Sequence, residues 1–259
     1  MKMLDLFSGI GGMSLAAKWA GIETIAFCEI DPFCQKVLKK HWPDVPIYED
    51  VRKLNRRALE EKGVIGRNGT IDIISGGYPC QPFSVAGKRR GSEDDRHLWP
   101  EMFRLVRELR PSWIVGENVA GHVSLGLDEV LSDLENIGYT ARAFVIPACA
   151  VGAPHRRDRV FIVAYVSDSN CIGYERIERL SKNLEEIKKW RTSALGTAPK
   201  LFDDIDWKKR AFESAFLGRN DGVPNRMDRI RALGNAVVPQ QIYPIFQAIV
   251  EIEKLLMEE

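Results

Sequence analysis

The sequence predicts an α/β protein with one sheet that carries helices on both faces. Short apolar runs that suit buried strands alternate with longer segments whose apolar residues recur at helical spacing. A glycine-rich turn at residues 8–12 joins the first such strand to the first such helix. With 259 residues, the chain is long enough to bury a substantial core.

Charge and cysteine content limit the classes of function. Lysine and arginine number 37 against 36 for aspartate and glutamate, so any nucleic-acid face must come from local clusters. The five cysteines form no Cys-x-x-Cys pair, which argues against a metal site or a disulfide framework and predicts reduced thiols. The N-terminus has no signal-type apolar region, and no apolar stretch reaches bilayer length, so we expect a cytoplasmic protein without a membrane role.

The chain begins with a predicted strand at residues 2–7, the turn, and a helix at 13–20 that ends at Gly21. The turn glycines let the backbone approach a ligand, and the helix N-terminus favours an anion. A dinucleotide-binding turn would have a third glycine where Ser14 stands, which disfavours hydride chemistry. A plain strand-to-helix turn is the alternative.

A second strand is predicted at residues 24–27, and an acidic segment follows it. A carboxylate there can accept both hydroxyls of a ribose, which makes Glu29 a candidate ligand-binding residue. We expect Ile30 to offer an apolar side to a bound base. Asp31 is expected to cap the helix that begins at Pro32.

Cys80 follows an apolar run at residues 71–75 and stands between Pro79 and Pro82. The prolines restrict the backbone, so the thiol can point in few directions. A buried packing cysteine is the alternative. Residues 84–92, however, are small, polar and basic, as expected of a solvated segment that closes over a phosphate backbone. The pattern indicates a nucleophile used on nucleic acid.

A strand predicted at residues 113–115 leads to Glu117. Burial at a strand end should raise the pKa of this carboxyl, so that it can carry a proton at neutral pH. A salt bridge to a nearby arginine is the alternative. We expect Asn118 to orient the Cys80 loop through hydrogen bonds to its backbone. The preceding helix packs in the core through Met102, Phe103, Val106 and Leu109.

A helix at residues 127–136 and a strand at 139–146 precede two arginines, Arg157 and Arg159, which stand before an apolar run at 160–164. Both guanidinium groups point to one face if the strand has already begun at the first. Such a pair suits a carbonyl oxygen and a phosphate. A solvated run of charge is the alternative.

Residues 167–221 are rich in charge and have no dense apolar pattern. We therefore expect a small separate region there, between the two parts of a catalytic domain at 1–166 and 222–259. A helix predicted at 241–256 would pack back on the N-terminal sheet. Its apolar stripe is Ile242, Ile245, Phe246, Ile249 and Leu256.

Five segments resemble motifs of the cytosine-C5 DNA methyltransferases, in that family's order. They are Asp-Leu-Phe-Ser-Gly-Ile-Gly-Gly at 5–12, Gly-Tyr-Pro-Cys-Gln-Pro-Phe-Ser at 77–84, Glu-Asn-Val at 117–119, His-Arg-Arg-Asp-Arg at 155–159 and Gly-Asn-Ala-Val-Val-Pro at 234–239. His155 replaces the family's usual glutamine. The resemblance is strongest to compact bacterial and phage-type members. It implies a Rossmann-like S-adenosylmethionine-dependent methyltransferase sheet with helices on both faces and a small target-recognition region.

The resemblance also implies residue roles. The catalytic set is Cys80 as nucleophile on cytosine C6, Glu117 as stabiliser of the charge on the ring, and Arg157 and Arg159. The cofactor contacts are Phe7, Gly9, Gly11, Glu29, Ile30, Asp50, Val51, Gly77, Pro79, Asn235 and Val237, and the DNA contacts are Gln81, Ser84, Lys88, Arg89, Arg90 and Asn118. Asp50 stands where the family reads the adenine amine, but it can equally be the N-cap of a helix predicted at 52–62.

The implied reaction flips a cytosine out of double-stranded DNA and transfers a methyl group to its C5 from S-adenosyl-L-methionine. We expect a specific DNA target, as in restriction-modification or phage self-protection, and a monomer that acts separately from any cognate restriction endonuclease. Three alternatives stay open. They are a transfer-RNA methyltransferase, disfavoured because the Cys-Phe-Thr tripeptide of that branch is absent, a non-catalytic binding relative, and a Rossmann oxidoreductase.

Overall fold

The computed structural model describes residues 1–67, 69–79, 98–166 and 226–257. Its centre is a seven-stranded sheet. The strands are β1 (Lys2–Leu6), β2 (Glu23–Cys28), β3 (Ile47–Tyr48), β4 (Ile73–Gly76), β5 (Trp113–Val119), β6 (Tyr139–Ile146) and β7 (Arg159–Val166). Their order across the sheet is β3-β2-β1-β4-β5-β7-β6.

The first five strands in this order are parallel, and β7 lies antiparallel to both β5 and β6. Parallel strands end at the same edge of a sheet, so the loops that follow β1 to β5 meet there. The antiparallel β7 begins at that edge, because Arg159 pairs with Val119 at the end of β5. The last residue of β6, Ile146, also pairs with Arg159, so this edge collects residues from all seven strands.

Helices cover both faces of the sheet, as predicted. They are α1 (Gly12–Trp19), α2 (Pro32–His41), α3 (Arg56–Glu61), α4 (Trp99–Leu109), α5 (Leu127–Asn136), α6 (Arg226–Asn235) and α7 (Pro239–Met257), with short 3-10 helices at Ala120–Ser124 and Ala148–Val151. One apolar cluster contains Met102 and Leu134 from α4 and α5. The other contains Ala16 from α1 and Phe246 from α7.

The packing of the C-terminal helix on the N-terminal part is confirmed. Ile242, Phe246 and Ile249 are buried in the same cluster as Met3 of β1. Residues 167–221 lie outside the described residues, so the division into a catalytic domain and a target-recognition region stays a prediction. Among the described helices, none combines the length and apolar character that a bilayer crossing requires.

Helix α2 confirms the predicted cap: the Asp31 carboxylate accepts hydrogen bonds from the backbone N–H groups of Phe33 (2.7 Å) and Cys34 (3.3 Å). The helix predicted at 52–62 begins later, at Arg56. Its cap is Asn55, whose side-chain oxygen accepts from Ala58 N at 2.8 Å. Residues 51–53 form a turn instead.

Strand β5 is longer than predicted and runs to Val119 instead of ending at residue 115. The extension arises from antiparallel pairing with β7, in which Glu117 lies opposite Phe161 and Asn118 opposite Val160. Glu117 is therefore part of the sheet and not of a loop beyond it.

Candidate active site

The turn after β1 approaches the C-terminal motif closely. Gly9 and Gly11 have positive φ angles of +54° and +85°, which favour glycine. A Cβ at Gly11 would lie 2.7 Å from Cζ3 of Trp42, and one at Gly12 would lie 2.5 Å from the carbonyl oxygen of Val237. The absence of side chains here lets the turn and the C-terminal segment share one site.

Asp5 lies buried beneath this turn. Its carboxylate is 1% exposed and accepts hydrogen bonds from the hydroxyls of Ser14 (2.6 Å) and Ser75 (2.9 Å). Burial raises the pKa of Asp5 to about 7, because desolvation outweighs the two hydroxyl bonds. Ser14, which stands where a dinucleotide-binding turn has glycine, therefore binds α1 to β1. Phe7, at φ +52°, turns the chain out of β1 and packs against the core.

Glu29 links the loops that follow β1 and β2. Its Oε2 atom accepts from Gly9 N at 2.6 Å and its Oε1 atom from Asp31 N at 2.7 Å. The side chain is buried, and desolvation raises its pKa above the ordinary value for glutamate. The carboxylate is therefore at the predicted edge position and is fixed by backbone donors from both loops.

The residues expected around a bound base separate into exposed and buried ones. Ile30 is 69% exposed, a large apolar surface beside Glu29. Asp50 accepts from Arg52 N at 3.0 Å within the turn at 51–53. Because the helix begins only at Arg56, with Asn55 as its cap, the alternative role of Asp50 as that cap is wrong, and its role toward adenine stays a prediction. The Val51 side chain belongs to the apolar core, where it is 6% exposed, so any cofactor contact would come from its backbone.

Glu117 is buried and ion-paired. Arg159 Nε lies 2.8 Å from its Oε1 atom, and the carboxyl-bearing residue is 9% exposed. Burial raises the pKa of Glu117 to about 7, although the charges of Arg159 and Arg157 act to lower it. The predicted rise in pKa is confirmed, and so is the alternative of a salt bridge. The carboxyl group can exist in both protonation states near neutral pH.

Arg157 lies before β7, with φ +36°, so the premise that the strand has already begun at this residue is wrong. Its Nη2 atom donates to the carbonyl oxygens of Gly234 and Ala236, both at 2.7 Å. Burial lowers its pKa, with a further lowering from the neighbouring Arg159. Arg157 thus joins the start of β7 to the C-terminal motif, and its catalytic role stays a prediction.

Residues 77–79, which we call the stem, lead from β4 towards the nucleophile predicted at the next position. A Cβ at Gly77 would lie 3.0 Å from Oε2 of Glu117, so the stem passes directly beside that carboxyl group. Asn118 Nδ2 donates to the carbonyl oxygen of Tyr78 at 3.0 Å, which confirms the expected contact with the loop backbone. The Asn118 side chain is buried, and its contact with DNA stays a prediction. Pro79 is exposed.

The structure gives fewer contacts, or none, for the other predicted site residues. The residues outside the described part of the chain are Cys80, Gln81, Ser84, Lys88, Arg89 and Arg90. Asn235 is exposed at the end of α6, between the two carbonyl groups that bind Arg157. Val237 is half-buried against the turn after β1. His155 is exposed, and nothing in its surroundings assigns it a role.

Two buried polar residues of the site had no distinguishing signal in the sequence. His122, in the 3-10 helix that follows β5, has its Nε2 atom 2.9 Å from the Tyr78 hydroxyl. Gln241, in α7, is fully buried and donates to the carbonyl oxygens of Ile146 (2.7 Å) and Arg157 (3.1 Å). The partners of both are remote in the chain, so spacing does not reveal them.

Comparison with known proteins adds a family assignment. Residues 1–218 match the family model described as C-5 cytosine-specific DNA methylase. The chain is 35% identical over 176 residues to the type II methyltransferase M.AquIA of Picosynechococcus, with 62% of this chain and 71% of that protein covered. It is 36% identical over 181 residues to M.Eco47II of Escherichia coli, with 67% of this chain and 42% of that protein covered.

The fold also matches a solved structure, titled a putative DNA modification methyltransferase encoded within a prophage of E. coli. The TM-score is 0.54 at 30% identity, with 64% of this chain and 47% of that chain covered. The match thus spans less than half the length of M.Eco47II and of the prophage protein.

Proposed function

Because the chain belongs to the C-5 cytosine-specific DNA methylase family, we propose that it methylates carbon 5 of cytosine in double-stranded DNA, with S-adenosyl-L-methionine as methyl donor. One geometric observation carries the proposal. A buried carboxyl group with a pKa of about 7, Glu117, lies beside the stem that leads to Cys80 and is paired with Arg159. Nucleophilic attack on a cytosine ring places negative charge on the ring, and a carboxyl group held beside the nucleophile can stabilise that charge.

Cys80 acts as the nucleophile in this proposal. Its thiolate adds to C6 of a flipped cytosine, and the electron pair of the C5–C6 double bond moves into the ring. An unperturbed thiol is only about 3% ionised at pH 7. The guanidinium of Arg159, which pairs with Glu117 beside the stem, favours the anion, because positive charge lowers a thiol pKa. After methylation at C5, loss of the C5 proton to water releases the thiolate from C6.

Glu117 stabilises the ring during this attack. As a neutral acid it donates a hydrogen bond to ring N3, where negative charge develops, and its other oxygen accepts from the exocyclic amine. Arg159 fixes the carboxyl group through Oε1, and its guanidinium suits the cytosine O2 oxygen. The site therefore keeps a proton available at neutral pH without exposing the carboxyl group to bulk water.

The residues at the sheet edge fit the proposed cofactor. Glu29 accepts backbone N–H groups from Gly9 and Asp31, and a carboxylate has about four lone-pair sites, so it can also accept ribose hydroxyls. Ile30 presents an exposed apolar side chain next to it. Gly9 leaves open space, since a Cβ there would have no atom within 4 Å. When bound, S-adenosyl-L-methionine supplies the methyl group from its sulfonium centre.

We further propose a sequence-specific target, since the relatives reported above are named type II methyltransferases. The expected biological setting is the cytoplasm, as a monomer that modifies DNA in restriction-modification or phage self-protection. A cognate endonuclease would act separately. The enzyme would be a DNA (cytosine-5-)-methyltransferase, and residues 167–221 would read the target.

The test compares wild type with Cys80→Ala in a host that lacks cytosine methylation, with 5-methylcytosine mapped at base resolution. Methylation at one short recurring sequence, present only with Cys80, is the expected result. If a folded wild-type protein binds S-adenosyl-L-methionine and leaves no mark on host DNA, the proposal of duplex DNA as substrate is wrong.

A further inference from the structure

Tyr78, the middle residue of the stem, is fixed from two sides by residues that follow β5. Its carbonyl oxygen accepts from Asn118 Nδ2 at 3.0 Å, and its hydroxyl group lies 2.9 Å from His122 Nε2. Both rings are almost fully buried, with 2% of Tyr78 and 4% of His122 exposed. The His122 ring also packs edge-on against the phenol ring, with centroids 5.5 Å apart. The stem therefore cannot rotate without breaking a buried polar contact.

The other side of Tyr78 packs on α4. The Trp99 ring centroid is 5.1 Å from that of Tyr78, and the Trp99 indole donates to Asp133 at 2.8 Å. Leu98 N donates to the carbonyl oxygen of Pro79 at 3.3 Å. The end of the stem at Pro79 is thus bound to the start of α4, next to the packed rings of Tyr78 and Trp99.

The contact between His122 and Tyr78 also fixes the stem relative to Glu117. Glu117 and His122 belong to one continuous piece of backbone, β5 and the 3-10 helix after it. Gly77 lies so close to Glu117 that a Cβ would be 3.0 Å from its Oε2 atom. A shift of the phenol ring would change the distance between this carboxyl group and the backbone that leads to Cys80.

We infer that His122 is a positioning residue for methyl transfer: by binding the Tyr78 hydroxyl, it sets the direction in which the chain leaves Pro79 towards Cys80. The inference rests on the proposed function. It follows from the sensitivity of covalent catalysis to distance, since a nucleophile must lie within about 3.5 Å of its target in an aligned geometry. A small rotation of the stem changes the course of the backbone that leads to the nucleophile relative to Glu117, while the fold and the Glu29 contacts on the loops after β1 and β2 stay intact.

A matched set of variants tests this. His122→Asn removes the nitrogen at the Nε2 position, whereas His122→Gln places an amide nitrogen there. Tyr78→Phe removes the hydroxyl from the other side of the same contact. The control is Tyr139→Phe, which deletes a buried hydroxyl that donates to Pro111 at 2.6 Å at the opposite end of the sheet.

The readouts are kcat and KM for methylation, melting temperature, and the rate of adduct formation with DNA that contains 5-fluorocytosine. In this probe C5 carries fluorine instead of a removable proton, so the adduct at C6 accumulates. We expect His122→Asn and Tyr78→Phe to lower kcat and the adduct rate about tenfold, with a much smaller change in KM for S-adenosyl-L-methionine because the Glu29 contacts are unaltered. The double variant should be no slower than either single one, and His122→Gln should recover most of the rate.

The outcomes separate this inference from the proposed function. Normal adduct rates in His122→Asn and Tyr78→Phe, with wild type active, would show a purely structural contact and overturn the inference alone. An equal loss of rate in Tyr139→Phe would also overturn it, because the effect would then follow stability. If wild type and Tyr139→Phe both fold and form no adduct, the proposed function fails, and this inference fails with it.

Discussion

Asp5→Asn should remove the part of the pH dependence of stability that titration of the buried Asp5 carboxyl group causes. Asp5 is buried and accepts hydrogen bonds from two hydroxyl groups, those of Ser14 and Ser75, and no cation pairs with it in the part of the chain that the structure describes. The neutral acid is therefore the favoured form in the folded protein. Asparagine has the same shape and no charge, and both serine hydroxyls can rotate to donate or accept.

The magnitude follows from the pKa of Asp5, which burial raises from 3.8 to about 7. Between these two values the folded state binds more protons than the unfolded state, so this group's contribution to stability is fully present below about pH 3.8 and is lost as pH rises through about 7. Between about pH 5 and about pH 8 the loss amounts to about 2.5 kcal/mol.

The assay is urea unfolding of wild type and Asp5→Asn at both pH values. The difference in unfolding free energy between the two proteins isolates Asp5, because all other titrating groups are shared. We expect the variant to gain about 2.5 kcal/mol relative to wild type on going from the lower to the higher pH. A difference that stays constant with pH, or that changes in the opposite direction, would refute the argument that burial dominates at Asp5.

Three further outcomes are expected at the same edge. Glu117→Gln should lower kcat at least about 100-fold. We expect the kcat of wild type to fall as pH rises above about 7, where Glu117 loses its proton, and the variant, which has no such proton, should not show this fall. A variant whose kcat still falls above about pH 7 would contradict the argument. Gly12→Ala should lower the free energy of unfolding by about 1–3 kcal/mol, because the new Cβ would overlap the carbonyl oxygen of Val237. The control is Gly66→Ala, whose Cβ would have no atom within 4 Å and should cause no such loss in thermal unfolding. Glu29→Gln should weaken binding of S-adenosyl-L-methionine about tenfold or more in calorimetry. The NH2 group of glutamine is a donor and would stand opposite another donor, the N–H of Gly9 or of Asp31. Unchanged affinity would exclude this carboxylate from the cofactor site.

Features set by neighbouring residues could be predicted from the sequence. The cap at Asp31, the helix at Leu127–Asn136 and the strand at Tyr139–Ile146 follow from capping chemistry and from periodicity, which act over a few residues. The raised pKa of Glu117 could also be predicted, because burial at the end of a central strand suffices to cause it. The start of α3 could not, since Asn55 and Asp50 are both suitable caps and only one was used.

Apart from the contact of Asn118 with the loop backbone, the specific partners of the site residues could not be predicted, because they depend on the register between strands that are far apart in the chain. Arg159 reaches Glu117 only because β7 runs antiparallel to β5 and places residue 159 opposite Val119. A shift of that register by one residue would turn the guanidinium to the other face of the sheet. The alternation of side chains along a strand predicts which residues of that strand share a face of the sheet. It does not predict which strand lies opposite, or in what register.

Arg157 shows most clearly how tertiary structure changes the role of a motif residue. Spacing alone pairs it with Arg159 on one face of a strand, but the chain turns at φ +36° before β7 begins. The guanidinium then binds carbonyl groups 77 and 79 positions later in the chain, at Gly234 and Ala236. Since a planar guanidinium can bridge two acceptors at once, one side chain joins the loop that precedes Arg159 to the segment that contacts the glycine turn after β1. The base-binding and cofactor-binding parts of the proposed site are therefore mechanically linked, and a change at Arg157 should affect both.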